Sequence, residues 1–246
     1  MRVLDPSGRK HRNAAPAEMK EIAVVFDLFH TLISLEVPRA PGRRVSEILG
    51  VDPGEWYQVW TSDPDDYVFG RADVGERLRR LARRLNPKVT EAQIEEALAA
   101  RTLSIRHAMV NVESEALEGL RGLRRFGCRL GLISNCGEDE VRAWPESPLA
   151  PLFDTVLFSC RVKLKKPDPA IYQLAATNLA VKPARCLYVG DGGSDEFAGA
   201  RRAGMTPVLL TRHLEVSMAE RIPALAQEAE LAVRTTSELC RLLTGT

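Results

Sequence analysis

The chain has no pair of cysteines in a CxxC arrangement. Its five (Cys128, Cys136, Cys160, Cys186 and Cys240) are scattered over 246 residues. That sets aside a CxxC metal or redox motif and points to reduced, mostly buried thiols in a cytoplasmic protein. Charge of one sign is not in excess either. Lys+Arg 34 against Asp+Glu 33 leaves a formal net charge of +1, so no global field favours nucleic acid or an anionic membrane. No apolar run approaches the roughly 20 residues that cross a bilayer. Residues 1–18 are polar, with Arg2, Arg9, Lys10 and Arg12, and lack the apolar centre of a signal peptide. They read as a mobile extension, with Met19 as a candidate start. There is no internal repeat and no low-complexity tract.

What is present is enough chain to bury a full core, either as one domain with a large insertion or as two domains. After Lys20, strand and helix patterns alternate. The strands are Ile22–Phe26, Arg129–Ser134, Phe153–Ser159, Cys186–Gly190 and Pro207–Leu210, with a weaker one at Leu231–Val233. The helices are Glu113–Phe126, Pro169–Leu179, Asp195–Ala203, Met218–Gln227 and Ser237–Leu243. Alternation of this kind predicts an α/β fold, a Rossmann-like, doubly wound parallel sheet with helices on both faces. Residues 35–112 break the rhythm. They hold no strand pattern, but helical patterns at Val45–Leu49, Val74–Leu85 and Thr90–Met109, and Thr90 and Gln93 have the spacing of a capping box. The expected organisation is a core of residues 19–34 and 113–246 carrying a helical cap, 35–112.

Four polar signals fall at or just past the ends of predicted strands. They are Asp27-Leu28-Phe29-His30-Thr31, Ser134-Asn135, Lys166-Pro167-Asp168-Pro169, and Gly190-Asp191 followed by Asp195-Glu196. In a parallel sheet the C-terminal strand ends share one edge, where such folds bind ligands. Asp27 offers a carboxylate nucleophile. Ser134 and Asn135 offer hydrogen bonds to an anion, and Lys166 a point positive charge. Asp191, with Asp195 or Glu196, offers hard oxygen ligands suited to Mg²⁺.

In order and spacing these motifs, with Gly199-Ala200-Arg201-Arg202-Ala203-Gly204-Met205 after them, resemble the haloacid dehalogenase superfamily, in the subgroup whose helical cap follows the first motif. The resemblance implies that Asp27 attacks the substrate and that Thr31 positions it. It implies that Ser134 and Lys166 stabilise the transferring group, and that Mg²⁺ is held by Asp27, the backbone carbonyl of Phe29, Asp191 and Glu196 (or Asp195). The implied activity is Mg²⁺-dependent hydrolysis of a small phosphorylated metabolite, with no nucleic-acid or membrane partner and the oligomeric state left open.

Two departures keep alternatives in view. Superfamily phosphatases carry a second Asp two positions after the nucleophile, where this chain has Phe29. Loss of a placed general acid-base costs about 10²–10⁴ in rate. An aromatic there tilts toward a metal-independent 2-haloacid dehalogenase, although Gln58 stands near the cap arginine that branch uses; Arg43, Arg44 or Arg71 could substitute, each with a solvated face as its default reading. A member that binds anions with little turnover is the third alternative. His30 is the nearest titratable group, read first as packing in its loop and second as an acid-base or phosphate-binding group. Lys163, where the subgroup commonly has Gly, reads as a surface variation. Trp56, Tyr57 and Trp60 read as the cap's small core rather than a pocket wall. Trp144-Pro145 reads as a loop-shaping pair. Arg77, Arg79, Arg80, Arg83 and Arg84 read as solvated helix surface.

Overall fold

A computed structural model of the chain describes residues 3–4, 10–11, 22–62 and 64–245. The expected extension 1–18 lies outside the described residues apart from Val3–Leu4 and Lys10–His11, which pair antiparallel. Six strands form one parallel sheet: β1 (Ala23–Phe26), β2 (Arg129–Ser134), β3 (Thr155–Phe158), β4 (Cys186–Gly190), β5 (Thr206–Leu210) and β6 (Leu231–Val233). Their spatial order is β3-β2-β1-β4-β5-β6. The chain winds outward from β1 to one side, then crosses back and winds to the other, which makes the fold doubly wound. Three strands differ in length from their apolar runs: β1 is one residue shorter, β3 three shorter and β5 one longer. Asp154 leaves the expected β3 because its carboxylate accepts the Leu130 N–H at 2.8 Å, and Ser159 starts the helix that follows.

β1 shows why both faces of the sheet are covered. Its four residues are fully buried and alternate in direction. Val24 and Phe26 join one apolar cluster, with Leu120, Leu123 and Leu239 from α6 (Ser114–Arg125) and α13 (Thr236–Thr244). Ala23 and Val25 join the other, with Ile171, Ala175 and Phe197 from α9 (Pro169–Asn178) and α10 (Glu196–Arg202). Each such buried Val or Phe contributes about 1.5–3 kcal/mol relative to an exposed one, which fixes this strand at the centre. The five cysteines are buried and free.

Residues 45–110 add five helices and no strand of the sheet: α1 (Val45–Leu49), α2 (Pro53–Thr61), α3 (Asp65–Val68), α4 (Val74–Leu85) and α5 (Glu91–Val110). α5 begins with the reciprocal cap read from the sequence; Gln93 N–H donates to Thr90 Oγ1 at 3.2 Å and Thr90 N–H to Gln93 Oε1 at 3.0 Å. The insertion has its own small core, including Ile48, Leu49, Leu78 and Ile94.

One expectation fails here, and one surface residue does more than expected. Arg77 is not solvated. It is 3% exposed, donates to the carbonyls of Trp60 and Ser62 at 2.7 and 3.3 Å, and lies over the Trp60 and Tyr67 rings. Lys163 is exposed, as a surface variation would be, but it also fastens a contact. At φ +59° it ends α8 (Ser159–Val162) in the left-handed region, and its Nζ donates to the Phe69 carbonyl at 2.6 Å. Ser159 Oγ donates to Val68 O at 2.6 Å beside it. These bonds fasten the end of α3 to the core, and Gly70 makes the approach possible: a Cβ there would sit 2.9 Å from the Cys160 carbonyl.

Candidate active site

β1 delivers Asp27 directly. Its N–H extends the ladder to Val189 O at 2.8 Å, so the carboxylate leaves the sheet at a fixed point. The turn after it is tight. His30 adopts φ +60°, and its N–H bonds Ile33 O at 2.7 Å. This folds Thr31 back so that its hydroxyl donates to Asp27 Oδ2 at 3.0 Å. β2 ends at Ser134, 1% exposed. The Asn135 side chain is engaged differently from the expectation. Its Nδ2 donates to Lys166 O at 2.9 Å and its Oδ1 accepts the Lys166 N–H at 2.8 Å. Asn135 therefore positions Lys166 while also lining the cleft. Asp168, accepting the Ala170 N–H at 2.9 Å, caps α9 and anchors the same turn from the other side.

Lys166 is 4% exposed and bridges two carboxylates. Its Nζ donates to Asp27 Oδ1, to Glu196 Oε2 at 2.7 Å and to Tyr188 Oη at 3.0 Å. Burial opposes its charge, but Asp27 and Glu196 outweigh that, and its pKa stands above the ordinary lysine value. Burial pushes the carboxyls of Asp27 and Glu196 up, with Lys166 opposing and neighbouring carboxylates adding to the rise. Glu196 also accepts from the Tyr188 hydroxyl at 2.6 Å and from Gly192 N–H at 2.8 Å. Gly190 leaves room for it, since a Cβ there would lie 2.0 Å from Glu196 Oε1. Tyr188 is a site residue that sequence reasoning missed. Its signal was a hydroxyl in the middle of a fully buried strand, which needs a partner.

The oxygens of Asp27, Asp191 and Glu196 lie within 4.8 Å of one another, all buried. Glu196 joins this cluster, whereas Asp195 is exposed. Three carboxylates against a single ammonium leave two negative charges uncompensated, the charge of one Mg²⁺. Ligands at about 2.0–2.1 Å around an octahedral ion stand about 3.0–4.2 Å apart. The donor chemistry and charge of the cluster thus fit Mg²⁺, its span of up to 4.8 Å being slightly wider than that spacing.

A cleft of about 810 Å³ opens over these residues. From the core it is lined by Asp27, Phe29, His30, Ser134, Lys166 and Asp191, and from the insertion by Trp56, Tyr57 and Trp60. The aromatic trio divides. Trp60 is packed, with Tyr67 edge-on at 5.5 Å and the Arg101 guanidinium 4.1 Å above it. Tyr57 is 56% exposed. The pocket wall, not core alone, is where this trio stands. The arginines weighed as anion ligands are engaged elsewhere: Arg43 with Glu96, Arg44 with Glu36, and Arg71 with Asp66 at 3.9 Å.

A family model described as haloacid dehalogenase-like hydrolase matches residues 23–204. The chain is 29% identical over 138 residues to the glyceraldehyde 3-phosphate phosphatase of Methanopyrus kandleri, covering 55% of this chain and 56% of that protein, so the match spans just over half of that relative. It is 28% identical over 197 residues to (S)-2-haloacid dehalogenase 4A of Burkholderia cepacia, covering 77% and 83%. The structure of L-2-haloacid dehalogenase from Xanthobacter autotrophicus superposes with a TM-score of 0.62 at 21% identity over 91% of this chain and 98% of that one. That likeness shows the fold alone. With the family model matching well over half of its residues, the chain belongs to the haloacid dehalogenase-like hydrolase family.

Proposed function

We propose that this hydrolase acts on phosphate monoesters through Asp27 and with Mg²⁺, the helical insertion serving as the cap over the site. The observation that carries the reading is the buried cluster of Asp27, Asp191 and Glu196 around Lys166. In a hydrolase that works on carbon–halogen bonds without metal, Glu196 could still serve by holding Lys166, but a further buried carboxylate at Asp191 would have no such use. Nor is there, among the described residues, a cap arginine lining the cleft that is free of a carboxylate, apart from Arg39 at the rim.

In this reading one oxygen of the Asp27 carboxylate attacks phosphorus while Thr31 holds the other at 3.0 Å. Lys166, clamped by Asn135 and fixed against Asp27, keeps the nucleophile ionised and faces the phosphoryl oxygens. Ser134 supplies a hydroxyl to the same oxygens. Asp27, Asp191, Glu196 and the Phe29 carbonyl would hold Mg²⁺, which when bound neutralises charge on the transferring group. These side chains are buried at the foot of the cleft, which strengthens each of these interactions.

The test is phosphate release from p-nitrophenyl phosphate with Mg²⁺ and with EDTA, for wild type and Asp27→Asn. Release that needs Mg²⁺ and falls by about 10³-fold or more in the variant is expected. Halide release from 2-halo acids in EDTA, without phosphate release, would replace this reading with the dehalogenase.

A further inference from the structure

We propose that the natural substrate is a phosphate ester of an aryl hydroxyl, its ring held between the cleft and the exposed face of Tyr57. This deepens the phosphatase reading and rests on it. Two independent features of the cleft lead there.

The first is that, among the described residues, no carboxyl beside the nucleophile is free to protonate a leaving oxygen. Phe29 contributes only carbon beside the nucleophile. Asp191 and Glu196 belong to the carboxylate cluster, Glu36 is paired with Arg44, and Glu140 with Arg101. Asp195 stands exposed at the rim, and His30 lines the cleft but keeps its Nδ1 buried. Lys166 holds its proton between two carboxylates. A leaving group expelled here departs as the anion. An alkoxide, near the basicity of hydroxide, is a poor anion to expel; a phenoxide, at about 10, is far better. The chemistry closes without an acid. An Asp27 oxygen bonds to phosphorus as the P–O(aryl) bond breaks, and the bonding pair leaves with the aryloxide, which takes a proton from solvent. Water then cleaves the aspartyl phosphate, releasing phosphate and restoring the carboxylate.

The second feature is α2. It carries Trp56, Tyr57 and Trp60, yet none of its nine residues is buried. Aromatic side chains ordinarily bury most of their area. Here Tyr57, 56% exposed, leaves an aromatic face open to the cleft that also contains Asp27. At about 810 Å³ that space admits a ring beside the phosphoryl group. A flat π-system is the partner such a face binds best.

Three probes separate the two elements: phenyl phosphate, acetyl phosphate (a weakly basic leaving group without a ring) and glycerol phosphate (an alkoxide leaving group). With Mg²⁺, kcat/KM for phenyl and acetyl phosphate is expected to exceed that for glycerol phosphate by about 10²-fold or more. Tyr57→Ala is expected to raise the ratio of KM for phenyl phosphate to KM for acetyl phosphate about fivefold or more, and Tyr57→Phe to restore it. Glycerol phosphate turned over as fast as phenyl phosphate would overturn the leaving-group argument, and would identify His30 or Asp195 as a working acid. An unchanged KM ratio in Tyr57→Ala would overturn the ring site. No phosphate from any probe would overturn the parent phosphatase reading, a failure distinct from either.

Discussion

Phe29 and His30 share the turn after Asp27 but differ in what they impose on it. His30 holds a left-handed backbone at φ +60°, a conformation most side chains avoid, and its Nδ1 is buried without a hydrogen-bond partner among the described residues. Phe29 is half-buried, packs against the apolar cluster under β1 and lines the cleft. Phe29→Asp would place a carboxyl among the other acids of the site, where like charges and burial favour its protonated form. Such a group can donate a proton to an alkoxide. Turnover of glycerol phosphate by Phe29→Asp is therefore expected to rise by about 10²-fold or more over wild type, while phenyl phosphate gains far less; equal gains on both, or none, would show that the missing acid is not the limiting defect. At this scale the sequence was most legible where a side chain sits at a strand end. Asp27, Ser134 and Asp191 were found that way, and Lys166, eight residues past the end of β3, by its Lys-Pro motif. The choice between Asp195 and Glu196 was not legible, because it depends on Gly192, Ser194 and Asp195 all adopting positive φ, which rotates Glu196 inward. Tyr188 and the true task of Asn135 were hidden for a similar reason: both act on Lys166, a partner remote in sequence.

Between elements, the insertion is held to the core by a buried polar latch. Arg101 of α5 donates to Asp139 Oδ2 at 3.3 Å, to Glu140 Oε1 at 2.5 Å and to the Tyr67 hydroxyl at 2.7 Å. Tyr67 of α3 in turn donates to Asp139 Oδ1 at 2.8 Å. Asp139 and Glu140 belong to α7 (Glu138–Val141), directly after the Ser134-Asn135 motif. The latch thus joins the wall that carries Trp60 to the loop that carries Ser134. The Arg101 side chain is 11% exposed and its two carboxylate partners 14% and 15%, so solvent screens the pairs little. Arg101→Met keeps much of the packing over Trp60 and removes the charge, leaving two poorly solvated carboxylates unpaired, at a cost of about 3–5 kcal/mol. Amides of α5 and α3 are expected to exchange with solvent deuterium faster in that variant, with the strands of the sheet much less affected; uniform acceleration throughout would mean that the latch stabilises the whole fold and not the docking of the insertion. None of this was readable from the chain, since the polar partners are separated by 34 to 72 residues. Likewise Arg77 shares a helix with Arg79 and Arg83, which pair with Glu91 on the exposed face, and only the position of Trp60 shows that Arg77 alone points inward. The capping box at Thr90 and Gln93 was legible because both partners lie within one turn.

For the molecule as a whole, the alternation of strands and helices sufficed to predict a doubly wound sheet, because a parallel strand pair requires a crossover helix and each strand reads as an apolar run. The same winding concentrates negative charge at one sheet edge, and that has a consequence for stability. With Lys166 as the one ammonium among three buried carboxylates, the folded state carries a repulsion that the unfolded chain relieves. A cation that binds the folded cluster and not the unfolded chain stabilises by mass action, about 2.7 kcal/mol at a concentration 100 times its Kd. In a chain of 246 residues each kcal/mol moves the thermal midpoint by about 2–4 °C, so saturating Mg²⁺ is expected to raise Tm by about 5–10 °C in calorimetry. Asp191→Asn tests the origin of the effect. The substitution removes one of the repelling charges, so without Mg²⁺ the variant is expected to melt at or above the wild-type midpoint, while its response to Mg²⁺ falls to a small fraction of the wild-type shift. A wild type whose midpoint ignores Mg²⁺, or a variant that responds equally, would remove the cation from the cluster, and would leave Lys166 to balance the site unaided.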